Sequence, residues 1–211
     1  MLAAYAGFTA GAAYADLLAG YAYNVNQMTR QMTIPGLGAR LAHGMTGAPQ
    51  WFGQAEVGYR LGIDSTSAST LTPFARLEAA TVSQAAFAEW GAGSLDLVVA
   101  GQSTSAQRSV LGAELAGAYR LAGLAPLGLQ LRLGWAHDYA DTSRPVTAAL
   151  SAAPNAGFTV FGSSMPRDSV TVGLGLSTTI DDRYALFVRY DGEVAAGADS
   201  HALNAGIRFR W

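Results

Sequence analysis

The sequence contains no cysteine and no lysine. The first absence excludes a disulfide framework and any thiolate metal site. The second leaves arginine as the whole basic complement, 13 residues scattered along the chain against 15 acidic ones, for a formal net charge of −2. Such a distribution builds no basic stripe to track a nucleic-acid backbone, so no nucleic-acid partner is expected. Charge as a whole is scarce, 13% of residues, against about 25% in soluble globular domains. A long apolar helix is missing too. The stretch from Leu2 to Val25 comes nearest, but Asp16, three glycines and four tyrosines interrupt it. A signal peptide would carry a positive segment ahead of its apolar core, whereas Arg30 is the first basic residue. The segment reads instead as two short strands meeting near Ala15 and Asp16, with Leu17, Ala19, Tyr21, Tyr23 and Val25 on one face.

What the sequence does have is alternation. Half of its residues are hydrophobic and 25 are glycine. From Leu127 the set Leu127, Leu129, Leu131, Leu133 and Trp135 interleaves with Gly128, Gln130, Arg132, Gly134 and Ala136. The same period runs from Trp51 to Leu61, Leu111 to Leu121, Val170 to Ile180 and Tyr184 to Val194. It recurs in the terminal HALNAGIRFRW, where Leu203, Ala205, Ile207, Phe209 and Trp211 oppose Asn204, Gly206, Arg208 and Arg210. A period of two places the two sets on opposite faces of a strand. No stretch of comparable length repeats at the helical period. The chain is therefore predicted to be all-β and one domain over residues 1–211, with ten strands near 3–14, 16–31, 51–62, 71–83, 92–101, 107–121, 127–139, 169–180, 184–195 and 201–211. Residues 37–46 are an eleventh candidate with a poorer pattern.

The connections are unequal. Asp181-Asp182-Arg183 is a tight turn and AGLAP (122–126) a short one, whereas residues 33–50 and 140–168 are long. Short turns alternating with long loops, between strands of about ten residues, are the pattern of an outer-membrane barrel. Trp51, Tyr59, Trp135, Tyr139, Tyr184, Tyr190 and Phe209 fall near strand ends on the apolar face, where a barrel carries its interfacial girdles. The opposite face gathers charges of both signs, including Arg30, Glu56, Arg60, Asp96, Arg120 and Asp138. A wet lumen accommodates such charges while the lipid face stays nearly free of them. The competing architecture is a soluble antiparallel sandwich, with its apolar face turned inward. The favoured fold is an antiparallel transmembrane β-barrel of 10–12 strands. Its candidate lumen-facing charge network is Arg76, Glu78, Glu114, Arg132, Arg189, Asp191 and Glu193. The loop at 140–168 carries the apolar pieces 146–150 and 158–161 and is expected to fold as an extracellular cap or hairpin over the pore mouth.

The sequence offers little chemistry. His137 stands beside Asp138, but neighbouring strand residues point to opposite faces, so Asp138 cannot orient it for a Ser-His-Asp mechanism. No G-x-S-x-G occurs. Asp141 and Asp199 are the same-face carboxylates nearest His137 and His201, and neither brings a second histidine. No catalytic residue, metal set or cofactor motif is assigned, and the chain is expected not to be an enzyme.

A series of short motifs is more specific: LTPFARL (71–77), Phe87-x-Glu89-x-Gly91, RSVLG (108–112), LAPLGLQLRLGWAHDY (124–139), FTVFG (158–162), RDSVTVGLGLS (167–177), LFVRYDGE (186–193) and NAGIRFRW (204–211). In this order and spacing, from about Gly7 to Trp211, the chain resembles the C-terminal β-domain of autotransporters, the type V secretion translocators of Gram-negative bacteria. The resemblance implies a twelve-stranded barrel in the outer membrane that anchors and helps export an N-terminal passenger. Its implied partners are outer-membrane lipid, the barrel assembly machinery and its own passenger. It also implies that the last strand ends on the periplasmic side, closes the barrel against the first, and serves as the assembly signal through Ile207, Phe209 and Trp211. Family members thread a linker helix through the barrel. Here passenger, linker and a complete first strand are not recognisable, so a twelve-stranded member lacking its N-terminal part is expected. The alternatives are a small porin-like channel and, behind it, an outer-membrane hydrolase.

Overall fold

The alternating segments fold as antiparallel strands. The computed structural model describes every residue except 37, 65–67, 121–124, 141, 142, 163, 165, 181–183, 210 and 211, with Asp64 as backbone only. Among the described residues the strands are β1 (Leu2–Ala10), β2 (Ala13–Met32), β3 (Arg40–Tyr59), β4 (Leu61–Asp64), β5 (Ser69–Gln84), β6 (Phe87–Ala88), β7 (Leu97–Val99), β8 (Gln102–Tyr119), β9 (Leu127–Asp138), β10 (Pro145–Leu150), β11 (Ala153–Phe161), β12 (Asp168–Thr179), β13 (Tyr184–Ala195) and β14 (Ala198–Phe209). One antiparallel sheet runs β1-β2-β3-β5-β8-β9-β12-β13-β14, with β4 paired beside β5. Two of its hairpins close through two-residue turns, in which Gly11 (φ +61) and Gly197 (φ +81) take the left-handed conformation that a side chain would oppose.

The sheet is curled. Glu56 on β3 and Arg132 on β9 lie three strands apart, about 14 Å along a flat sheet, yet their side chains form an ion pair. The concave face buries a small apolar cluster of Phe74, Val110 and Ala136. On the convex face Leu111, Leu133, Trp135, Val170, Leu174, Val188, Leu203, Ile207 and Phe209 stand exposed. A soluble sandwich would cover that face with a second sheet; here no described element packs on it. The apolar band on β9 runs from Leu127 to Trp135, about 27 Å along the strand, of the same order as the ~25 Å band of an outer-membrane barrel. Tyr184 and Phe209 (ring centroids 5.2 Å apart) mark one border. Tyr21 and Trp51 (4.8 Å) mark the other, with Trp135; Tyr190, read from the sequence as a border residue, lies within the band opposite Leu174.

Three expectations are corrected. Residues 92–101 are not a barrel strand. Positive φ at Gly91 and Gly93 turns the chain there, and the Asp96 carboxylate accepts the Ala92 N–H at 2.8 Å. Asp96 is thus a turn residue, and β7 joins a separate sheet ordered β11-β10-β7-β6. Residues 40–46 are part of β3, which pairs with β2 along all of its length from Arg40 to Tyr59. Their alternation is poor because Ala42, Thr46 and Ala48 are buried where the 85–90 segment bonds back to β3 through Ala85–Gly47 and His43–Trp90. Lastly, among the described residues β14 does not pair with β1. Nine strands in the antiparallel path make β1 and β14 run in the same direction, so an antiparallel seam between them is geometrically impossible. Trp211 and the 181–183 turn lie outside the described residues.

The loop at 140–168 does form a hairpin, β10 and β11. It sits on the same rim as the 85–101 connection and bonds to it through Ala100 N–Thr147 O (3.0 Å) and Ser151 N–Asp96 O (2.8 Å). That rim carries the long connections and is therefore the extracellular one. The 85–101 segment is held down by Glu89, whose carboxylate accepts from Arg30 Nη2 at 2.5 Å and from the Leu97 N–H at 2.9 Å. Burial pushes the Glu89 carboxyl pKa up, but the bonds from Arg30 and Leu97 outweigh it and hold it below the ordinary value. A lowered folded pKa contributes stability that is present above the unfolded value and lost as pH falls through the folded one. Amide-exchange protection of residues 85–101 should therefore fall on acidification below about pH 4, and Glu89→Gln should remove that dependence. Unchanged protection across the acid range in the native chain would refute the latch.

Candidate functional site

The concave face is built by every second residue of β3, β5, β8, β9 and β13, and the register stacks their charges into one patch. Glu56 faces Arg76 across β3 and β5. Glu114 faces Arg132 across β8 and β9. The curl then brings Arg132 over to Glu56. The Glu56 side chain is only 7% exposed and collects three donors: Tyr14 Oη at 2.7 Å, Arg76 Nε at 2.7 Å and Arg132 Nη2. Arg76 also donates to Glu78 at 3.2 Å, and Arg132 to Glu114 at 3.2 Å. The Arg132 guanidinium lies 3.6 Å above the Phe74 ring centroid, a cation–π seat in a partly desolvated site. Gly112 makes room for that ring: a Cβ there would lie 2.7 Å from Phe74 Cζ and 2.2 Å from the Leu133 carbonyl oxygen.

Two further pairs flank this hub. Arg189 grips Asp191 through bonds of 2.9–3.1 Å. Arg108 reaches Glu193 at 2.7 Å and Ser169 at 3.1 Å. Arg76, Arg108, Arg132, Arg189, Asp191 and Glu193 together line a cleft of about 260 Å³. Toward the periplasmic rim the face is lined by Ala116, Ala118, Gly128, Gly175 and Ser177 around Gln130 and Arg208, leaving a cleft of about 680 Å³.

All seven sequence candidates thus face this side. Arg76, Glu78, Glu114 and Arg132 share one connected cluster, Arg189 and Asp191 form their own pair, and Glu193 belongs with Arg108. The hub itself, Glu56, was visible only as one charge among many on its face. Tyr14, Arg108 and Phe74 were not singled out. Parity alone could have found Arg108, which shares its strand face with Glu114.

On the outer face Asp138 is turned away from His137, as alternation requires. Asp168 orients the ring instead: it sits opposite His137 in the β9–β12 register and bonds His137 Nδ1 at 2.8 Å. Ser109 is the cross-strand neighbour on β8, yet its hydroxyl bonds Tyr139 Oη at 2.9 Å rather than the imidazole. His201 Nε2 lies 3.0 Å from an Asp199 carboxylate oxygen. No group of three or more His, Asp or Glu side chains arranged to hold a metal is present among the described residues. Ile207 and Phe209, the described members of the expected assembly signal, are exposed on the convex face at the end of β14.

Comparison with known proteins agrees with this geometry. A family model described as the autotransporter beta-domain matches residues 1–191. The extracellular serine protease of Serratia marcescens is 29% identical over 151 residues, which is 71% of this chain and 14% of that protein. A curled antiparallel sheet with an apolar outside and a charged inside, matched by that family over nearly its full length, establishes that the chain belongs to the autotransporter β-domain family, the outer-membrane translocators of Gram-negative bacteria.

Proposed function

We propose that these residues act on a passenger attached ahead of Met1, holding it at the outer membrane and giving it a hydrophilic route to the cell surface, with no catalytic step of their own. One observation carries the reading: the central concave charges are paired with one another, while the convex face is apolar between its aromatic borders. A lumen whose charges satisfy each other is wet without holding a passing polypeptide by unpaired charge. The small-residue cleft below the ion cluster supplies space beside it. The protease activity in the relative's name is that of a protein about seven times longer than the matched segment, and it is not transferred to this chain. Ile207, Phe209 and Trp211 are proposed as the segment that the barrel assembly machinery recognises.

Behind a secretion signal and a reporter domain, the chain should display the reporter on a Gram-negative host. External protease should then remove the reporter from intact cells, and deletion of residues 207–211 should abolish both display and outer-membrane assembly. A reporter left protected in the periplasm beside an assembled β-domain would sink the export reading.

A further inference from the structure

On the convex face of β8, β9, β12, β13 and β14, the described titratable side chains other than tyrosine are His137, Asp168, Asp199 and His201. All four lie at the extracellular ends of their strands, just beyond the apolar band. The two histidines are not equivalent. His201 has both ring nitrogens engaged, Nδ1 with Tyr190 Oη at 2.8 Å and Nε2 with Asp199 at 3.0 Å. His137 has Nδ1 tied to Asp168 and no partner among the described residues at Nε2. Its ring is held between Trp135 (centroids 5.8 Å) and Tyr139 (4.9 Å), and the indole Nε1 donates to the same Asp168 oxygen at 3.0 Å.

We propose that His137 is a proton-dependent contact for the phosphate groups of outer-leaflet lipid headgroups, with Asp168 as its positioning residue. The Asp168 carboxylate accepts the Nδ1 proton and so fixes the tautomer. The neutral ring then presents the Nε2 lone pair, which repels a phosphate oxygen. The protonated ring presents an Nε2–H, which donates to one through a charge-assisted bond. The groups that face the ring from its neighbours suit this use. β8 offers Ser109 and Gln107, both uncharged; β12 offers Asp168; β9 itself offers Trp135 and Tyr139. Arg108 and Asp138 point to the concave side. The exposed Arg167 is anchored through Nη1 to the carbonyls of Asp138 (3.0 Å) and Ala140 (3.1 Å) and adds a second cation at the same rim. Protonation thus changes the His137–Asp168 pair from net negative to neutral and supplies a donor where the aromatic border meets the headgroups. The contact is independent of passenger export and needs only that the rim with the long connections lies in the outer leaflet.

The test is a histidine NMR titration of the full chain in alkyl maltoside micelles, whose headgroups carry no phosphate, with and without added phosphatidate. An anionic surface concentrates protons and raises every interfacial histidine alike, so His201 serves as the internal reference. The His137 midpoint should rise about one unit more than that of His201, equivalent to a roughly tenfold preference of phosphate for the protonated ring. Asp168→Asn should remove the excess, because the tautomer is no longer fixed. No shift in either histidine, or an equal shift in both, overturns the assignment.

Discussion

Glu56→Ala should destabilise the folded domain by about 3–5 kcal/mol, the range for removing one partner of a buried ion cluster. Among the described residues its carboxylate is the one group that joins Tyr14, Arg76 and Arg132, so its loss strands a phenol and reduces the ties on two guanidinium groups in a confined site. Glu78→Ala should cost far less, about 1 kcal/mol or below, because Glu78 is 32% exposed and Arg76 keeps Glu56 when Glu78 is gone. Glu56→Gln should cost less than Glu56→Ala, since its amide oxygen still accepts a hydrogen bond from one of the three donors. Urea unfolding in detergent micelles, followed by tryptophan fluorescence, reads all three. Equal effects at Glu56 and Glu78 would refute the hub.

The contrast between these two glutamates shows what the sequence could and could not reveal. Both lie on the charged face by simple alternation, and a period of two is a local property that survives any register. The rank of Glu56 above Glu78 comes from Arg132, 76 residues away, and from a curl that no local pattern encodes. His137 is the same case on the other face. Alternation rules out the adjacent Asp138, but the true partner Asp168 lies beyond a connection of residues 139–167 and is set by register, which no local pattern carries. The 92–101 segment alternates because β7 is a real strand, but periodicity does not state which sheet a strand joins. In β3 the converse holds: residues 40–48 are strand without clean alternation, because the 85–90 segment buries the face that would otherwise be wet. That β1 and β14 cannot meet in an antiparallel seam follows from strand number, which fixes their relative direction. That the chain is an all-β barrel member was legible because it depends on face chemistry repeated in every strand.

Leu174→Arg should separate the lipid face from the lumen more sharply than any other single change. Leu174 lies opposite Leu131 on β9, midway along the apolar band, and is 44% exposed to what the fold makes the bilayer side. An arginine there has no acidic neighbour on its face, since the titratable groups of that face lie at the extracellular ends of the strands. The expected cost is about 2–4 kcal/mol, the range for an arginine at the midplane of a barrel's outer surface. Gln130→Arg is the matched control. Gln130 lies within a strand step of the same level but points to the concave face and borders the roomy cleft with Arg208, where water solvates an added charge and the cost should stay within about 0.5 kcal/mol. Folding into phosphatidylcholine vesicles, measured by urea titration, gives both values in one system. If the sheet instead hid its convex face in a soluble partner sheet, Leu174→Arg would be damaging in detergent-free buffer as well, and lipid would not change the difference between the two variants. A difference that appears only with lipid present ties the apolar face to the membrane, because only a solvent without hydrogen-bonding capacity makes the same charge costly on one side of a strand and nearly free on the other.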